Sequence, residues 1–208
     1  MGNIIFILVI VLLLLLSVLF IFKDQIKMFK FGFFKNAPIK KKLKKIANDY
    51  DYLYMSNIVV RVNNSKDTII DNVLVTNKYV YVIKNVFWRG ILNGKEIDDK
   101  WFLKDERGLT HVDNPLNLNY LRIKILASNV DIPLESFKNV IFYGDSLDVY
   151  QLDLVNSNSI FINYKDFEKT LLHIEKNNDN RFSDKETEEI IQNIYKISNA
   201  SQSHRKGK

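Results

Sequence analysis

The apolar residues of this chain recur in three different rhythms. Ile4–Phe22 is nineteen residues long and apolar throughout except at Ser17. A helix of that length, rising ~1.5 Å per residue, covers the ~30 Å hydrocarbon core of a bilayer. No basic residue precedes the run, and Phe20-Ile21-Phe22-Lys23 offers no small-residue cleavage site, so it reads as a retained transmembrane anchor rather than a signal peptide. Gly2 makes no myristoylation signal, because position 6 is Phe. After the run, Phe29, Phe31, Phe33 and Phe34 interleave with Lys30 and Lys35, a pattern suited to a membrane interface. Ile39, Leu43, Ile46 and Ala47 then recur at helical spacing, predicting a helix over Pro38–Asp51.

Beyond residue 51 the pattern shortens to strand lengths. Tyr52–Val62 is rich in aromatic and β-branched residues, Asn63–Asp67 reads as a turn, and Ile69–Thr76 is a second strand. Asn77-Lys78 joins it tightly to a third strand, Tyr79–Lys84. Arg89–Gly94 opens another pairing that Lys100–Leu103 can complete. Asp113-Asn114-Pro115 caps a helix expected to run to Ser128 with Leu118, Leu121, Ile125 and Leu126 as its buried stripe. Strands follow at Lys138–Tyr143 and Ser159–Ile162, then helices at Asp166–Lys176 and Ser183–Ile197, the last opened by the capping box Ser183-Asp184-Lys185-Glu186. The remaining tail, residues 199–208, is polar and basic and is expected to be disordered. Strands first in hairpins, then alternating with helices, predict an α/β fold of the mixed-sheet, α+β kind.

Charge changes the picture mainly by its position. The net charge of +6 over 208 residues conceals three regions. Residues 23–48 hold nine Lys and one Asp, and the tail adds Arg205, Lys206 and Lys208, whereas residues 49–203 hold 18 basic and 23 acidic residues, a net of −5. The lysines lie on the C-terminal side of the apolar run, which by the positive-inside rule places the domain in the cytoplasm at the cell membrane. They also suit anionic headgroups, at ~1 kcal/mol each near the surface. The alternative partner for Lys40–Lys45 is nucleic acid, and a protein docking on the bulky sheet residues is equally permitted. A mildly acidic domain lacks the basic footprint of a duplex binder. Cys is absent and the three His (His111, His173, His204) are far apart, which excludes disulfides, thiolate zinc sites and His-based metal motifs. The richness in Lys, Asn and Ile suits an AT-rich bacterial genome.

The candidate chemistry lies in the second and third strands. Asp71 sits inside the one and Lys84 ends the other, and a tight turn between them puts these positions side by side. An Asp and a second acid on adjacent strands can hold a hard cation such as Mg²⁺ through oxygen, and a Lys beside them can position the attacking water.

Ile70-Asp71, Val80-Tyr81-Val82-Ile83-Lys84-Asn85, Gly90-Ile91-Leu92-Asn93-Gly94, Trp101, Asn114-Pro115 and the strand Asn139–Phe142 follow one another in an order that resembles the nuclease-related NERD domain, of the PD-(D/E)XK nuclease superfamily. The resemblance covers residues 40–145, about half the chain. It implies a restriction-endonuclease-like core after one N-terminal transmembrane helix (1–22) and a basic juxtamembrane segment (23–39), with residues 146–198 supplying a C-terminal strand and helices. It also implies Asp71 and Lys84 as catalytic residues, Asp71 as a metal ligand, and Mg²⁺ as cofactor if activity is retained. The departures are specific. Val82 stands where the family has the second acid, Leu118 where it has Gln, and Ile39–Ala47 carries no Glu. Glu96, Asp98 and Asp99 are the acids in reach by sequence. The expectation is therefore a membrane-anchored NERD-like protein that is impaired in catalysis and acts in binding or scaffolding. The alternative is a Mg²⁺-dependent nuclease acting on DNA or RNA near the membrane.

Overall fold

The structure, a computed structural model, describes residues 23–63, 66–176 and 181–206, with side chains for 36–62, 67–176 and 181–201. The apolar run Ile4–Phe22 lies outside the described residues. Among those that are described, no helix is long and apolar enough to cross a membrane. The chain divides into two units, Met1–Pro38 and Ile39–Lys208. The first helix, α1, begins at Lys23 and ends at Asp49 with Pro38 inside it, so Pro38 does not mark a helix start as its position suggested.

The second unit is a mixed α+β fold built on two mixed sheets. Five strands form the larger sheet: β1 (Leu53–Asn63), β2 (Lys66–Val75), β3 (Val80–Asn85), β7 (Phe137–Tyr143) and β9 (Ser159–Asn163), in that order. β1, β2 and β3 are antiparallel neighbours, and β3, β7 and β9 run parallel. The smaller sheet has the order β6-β5-β4-β8, from β4 (Gly90–Lys95), β5 (Lys100–Asp105), β6 (Gly108–Asp113) and β8 (Leu147–Asp153). The expected pairing of Arg89–Gly94 with Lys100–Leu103 is the β4–β5 hairpin. β6 and β8 were not foreseen. β8 reads Leu-Asp-Val-Tyr-Gln-Leu-Asp, an apolar–polar alternation that pairs parallel with β4.

Helices cover both faces of the larger sheet, because its strands are apolar on both sides. On one face Val80 and Val82 meet Ile123, Leu126 and Val130 of α2 (Pro115–Val130) and Ile190 and Ile194 of α4 (Asp184–Lys206). On the other, Tyr81 and Ile83 meet Leu43 and Ile46 of α1 and Phe167 and Leu171 of α3 (Phe167–Glu175). The smaller sheet closes a third cluster around Trp101, which is fully buried. A Cβ on Gly94 would stand 2.4 Å from the Trp101 ring, so only glycine lets the indole lie flat against β4. The Trp101 Nε1–H donates to the Lys95 carbonyl at 2.7 Å.

Two expectations are corrected. Leu118 and Leu121 are exposed, and the buried face of α2 carries Leu116, Asn119, Ile123, Leu126, Ala127 and Val130. The rotation is set by a polar residue: buried Asn119 donates to the Val82 carbonyl at 2.8 Å and to the Asn139 side chain at 2.9 Å. A count of leucines places this face wrongly because it assumes the core is wholly apolar. The C-terminal tail is helical to Lys206 rather than disordered from residue 199. Ser198 and Ser201 are buried, and the Ser198 hydroxyl accepts the backbone N–H of Val59 at 3.2 Å, covering part of the edge strand β1. The capping box stands as read: Glu186 accepts from the Ser183 N–H at 2.7 Å, and the Glu186 N–H donates back to Ser183 at 3.3 Å.

Candidate functional site

β2 and β3 pair with Asn72 opposite Ile83 and Val73 opposite Val82, and that register, continued one residue beyond the paired rows, sets Asp71 opposite Lys84. The two residues singled out in the sequence are thus cross-strand neighbours. Asp71 Oδ2 accepts the backbone N–H of Asn85 at 3.2 Å, which fixes the carboxylate against the end of β3. No close ion pair joins Asp71 and Lys84 among the described residues. They interact through space. Burial pushes the Lys84 ammonium below the ordinary lysine value, the Asp71 carboxylate opposes that shift, and the Arg122 guanidinium adds to it.

The backbone is irregular at this place. The β1–β2 register passes from Ser56 opposite Asn72 to Ile58 opposite Ile70, and Asn57 between them has a left-handed φ of 55°. Asn is among the few non-glycine residues that enter this region at small cost. The register is the same on both sides of Asn57, and the one shift between β1 and β2 lies nearer the turn, between Arg61 and Asn63. What is unusual opposite Asp71 is the left-handed backbone of Asn57. Nothing in the sequence signalled it beyond the Asn itself.

Val82 is fully buried between Val73 on β2 and Asn139 on β7, packed in the same cluster as Ile123 and Leu126. Its carbonyl is held by Asn119, and Asn139 in turn donates to the Leu116 carbonyl at 3.0 Å. The point where the family pattern places an acid is therefore filled by a methyl pair and ringed by satisfied amides. The helix expected to bring a Glu, α1, packs instead with Tyr81 and Ile83, whose side chains alternate with those of Val82 and Lys84.

The acids considered as substitutes are engaged elsewhere. Glu96 accepts the backbone N–H groups of Val155 and Asn156, both at 2.7 Å, and the Ser159 hydroxyl. Asp98 and Asp99 are exposed, and their backbone carbonyls tie down Asn114 at the start of α2. Among the described residues no three His, Cys, Asp or Glu side chains come together in a group able to hold a metal. A Mg²⁺ ion does not fit this donor set. Asp71 supplies one carboxylate, Val82 supplies nothing, and the cation Lys84 acts on the same place.

One participant escaped the sequence reading. Arg122 lies on α2, one turn beyond Leu118, and its charge acts on Lys84. Its Nε and Nη1 are buried and have no hydrogen-bond partner among the described residues. Only the rotation of α2 around Asn119 could have revealed it.

Elsewhere, Glu175 forms a second polar cluster at the opposite end of β3. It accepts from the hydroxyls of Tyr81, at 2.5 Å, and Thr76, at 3.1 Å. Burial raises its pKa against the pull of Lys78 and Lys138. His111 and His173 are exposed, the His111 ring lying tilted against Phe102 at 4.7 Å between centroids. Trp101 is fully buried in the core.

A model of the nuclease-related domain, NERD, matches residues 32–144, more than half of the 208. Comparison with curated proteins and with solved structures returned no match.

Proposed function

The chain belongs to the NERD family, a nuclease-related domain of the PD-(D/E)XK kind, and from that premise we propose that it is a membrane-anchored, cytoplasm-facing member that has lost cleavage and works by binding. Val82 carries this reading. A second acid at that position is what a Mg²⁺-dependent nuclease needs, and the position holds a fully buried aliphatic side chain packed under α2. The restriction-endonuclease-like core is retained as scaffold, with its helices and sheet intact around an incomplete site. The apolar run Ile4–Phe22 followed by nine lysines supports the anchor and its orientation.

The direct test offers plasmid and single-stranded DNA and RNA to the full-length protein in mild detergent with Mg²⁺ or Mn²⁺. The proposal expects intact substrate throughout. Cleavage that disappears in Asp71→Ala would establish the competing reading, a metal-dependent nuclease near the membrane, which the surviving Asp71–Lys84 pair favours. For the anchor, the intact protein should stay with the membrane fraction through an alkaline wash, and the domain should be reached by protease only after the membrane is opened. Release by the wash would remove the anchor from the account.

A further inference from the structure

We propose that the outer face of the smaller sheet pairs this chain with a second copy of itself. The inner face of that sheet is closed by Leu92, Trp101 and Leu103, all buried. Alternation along the strands then turns Ile91 of β4, Phe102 of β5 and Leu109 of β6 outward, with Tyr150 of β8 beside them. Ile91 is 43% exposed, Phe102 44%, Leu109 63% and Tyr150 77%. These residues are neighbours. Ile91 lies opposite Lys104, Lys104 lies opposite Leu109, and Phe102 is two residues along the same strand. Together they line a groove of about 430 Å³. Large apolar side chains exposed singly need no explanation. Four in one patch, on a sheet whose other side is a closed core, mark a docking surface.

The charges around the groove indicate what docks. Lys95, Lys100 and Lys104 stand on the two central strands, and Asp113, Asp148 and Asp153 on the two edge strands, three of each sign. All six are exposed. The register sets Lys95 opposite Asp153 and Lys100 opposite Asp113. Even so, none of the six closes an ion pair within the chain among the described residues. An anionic lipid surface would meet the three aspartates, and a basic partner the three lysines. A partner that carries both signs around an apolar centre avoids each penalty, and the same face on a second copy is such a partner. A two-fold interface requires this self-complementarity. An apolar centre inside a polar rim is also how protein interfaces are built. Four strands ~4.8 Å apart, with residues rising ~3.3 Å each, make a face roughly 20 Å square. That is small for a specific interface, so pairing is expected to depend on concentration. It is independent of whether the chain cleaves nucleic acid.

The chain has no cysteine, so an introduced thiol is unique. Asn93→Cys places one in the groove, and Lys185→Cys places one on the exposed surface of α4 as a control. Full-length protein in mild detergent is treated with a short bismaleimide. Asn93→Cys should give a cross-linked dimer whose yield rises with protein concentration, and Lys185→Cys should give none. Adding Phe102→Glu to Asn93→Cys should lower the yield about tenfold or more, as loss of an interface anchor does. Sedimentation velocity should show the wild type passing from monomer to dimer over a concentration range in which Phe102→Glu stays monomeric. Phe102 is exposed, so the melting temperature of Phe102→Glu should change little, which separates lost pairing from lost folding. A monomer at every concentration, or equal cross-linking at Lys185→Cys, overturns the proposal. A dimer that Phe102→Glu leaves intact also overturns it and assigns association to another part of the chain. Protection of Asn93→Cys from a maleimide by phosphatidylglycerol vesicles, without a dimer, overturns it in favour of a lipid surface.

Discussion

Replacing Asn119 with Ala should be among the most damaging single changes in the domain, although it deletes a polar residue from a core. Asn119 makes two hydrogen bonds, to the Val82 carbonyl and to Asn139 Oδ1. Both acceptors are buried, so no water replaces the lost donor. Each bond is worth ~0.5–1.5 kcal/mol net, and a stranded buried acceptor costs ~1–3 kcal/mol. The Ala side chain also leaves a gap beside Ile123. A loss of about 3–5 kcal/mol follows from these terms, and a domain of this size shifts ~2–4 °C per kcal/mol, so its melting temperature should fall by roughly 6–20 °C. Urea unfolding followed by circular dichroism measures it, with the midpoint falling and the slope unchanged. The substitution should also free the rotation of α2. A change below ~1 kcal/mol would refute the reasoning, because it would mean that the amides ringing Val82 do not hold the helix.

Three further outcomes are expected. Asp71→Ala should cost about 1–3 kcal/mol in urea unfolding, since it removes the carboxylate that the Asn85 N–H donates to and the counter-charge of Lys84; a neutral result would show that Asp71 has no structural part. Gly94→Ala should destabilise by several kcal/mol, because its Cβ would meet Trp101 at 2.4 Å, and near-ultraviolet circular dichroism should report the displaced indole. Glu175 gives the pH dependence: its folded pKa is raised mainly by burial, so the native state holds the proton longer than the unfolded chain. Stability should therefore fall as pH rises from the ordinary value of 4.5 to the raised one and level off above it. Glu175→Gln should flatten that part of the profile, and an identical slope in wild type and variant would reject the assignment.

The hairpins were readable because β1 to β3 carry dense β-branched runs separated by turn residues, and the Asp71–Lys84 pairing follows from strand lengths and one tight turn. The resemblance to the family rested on the same stretch. Three things were hidden from a one-dimensional pattern, each for a physical reason. The rotation of α2 depends on a buried Asn bonded to residues 37 and 20 positions away, which periodicity cannot register. β8 is recognisable only by its partner β4, because a short alternating strand of mixed polarity has little signal of its own. The helical tail looked too polar to order, yet its serines are buried against β1, where the edge strand needed a partner. At the site, what was missing from the sequence could be seen at Val82, whereas the buried guanidinium of Arg122, whose charge acts on Lys84, could not be foreseen.

The account turns on whether this site has given up its metal. Mn²⁺ titration of the full-length protein, followed by electron paramagnetic resonance, measures that directly. The prediction is a free-ion signal that grows linearly with added Mn²⁺ and is the same for wild type and Asp71→Ala. A saturable bound-ion population in wild type that vanishes in Asp71→Ala would contradict it and restore the metal to the site.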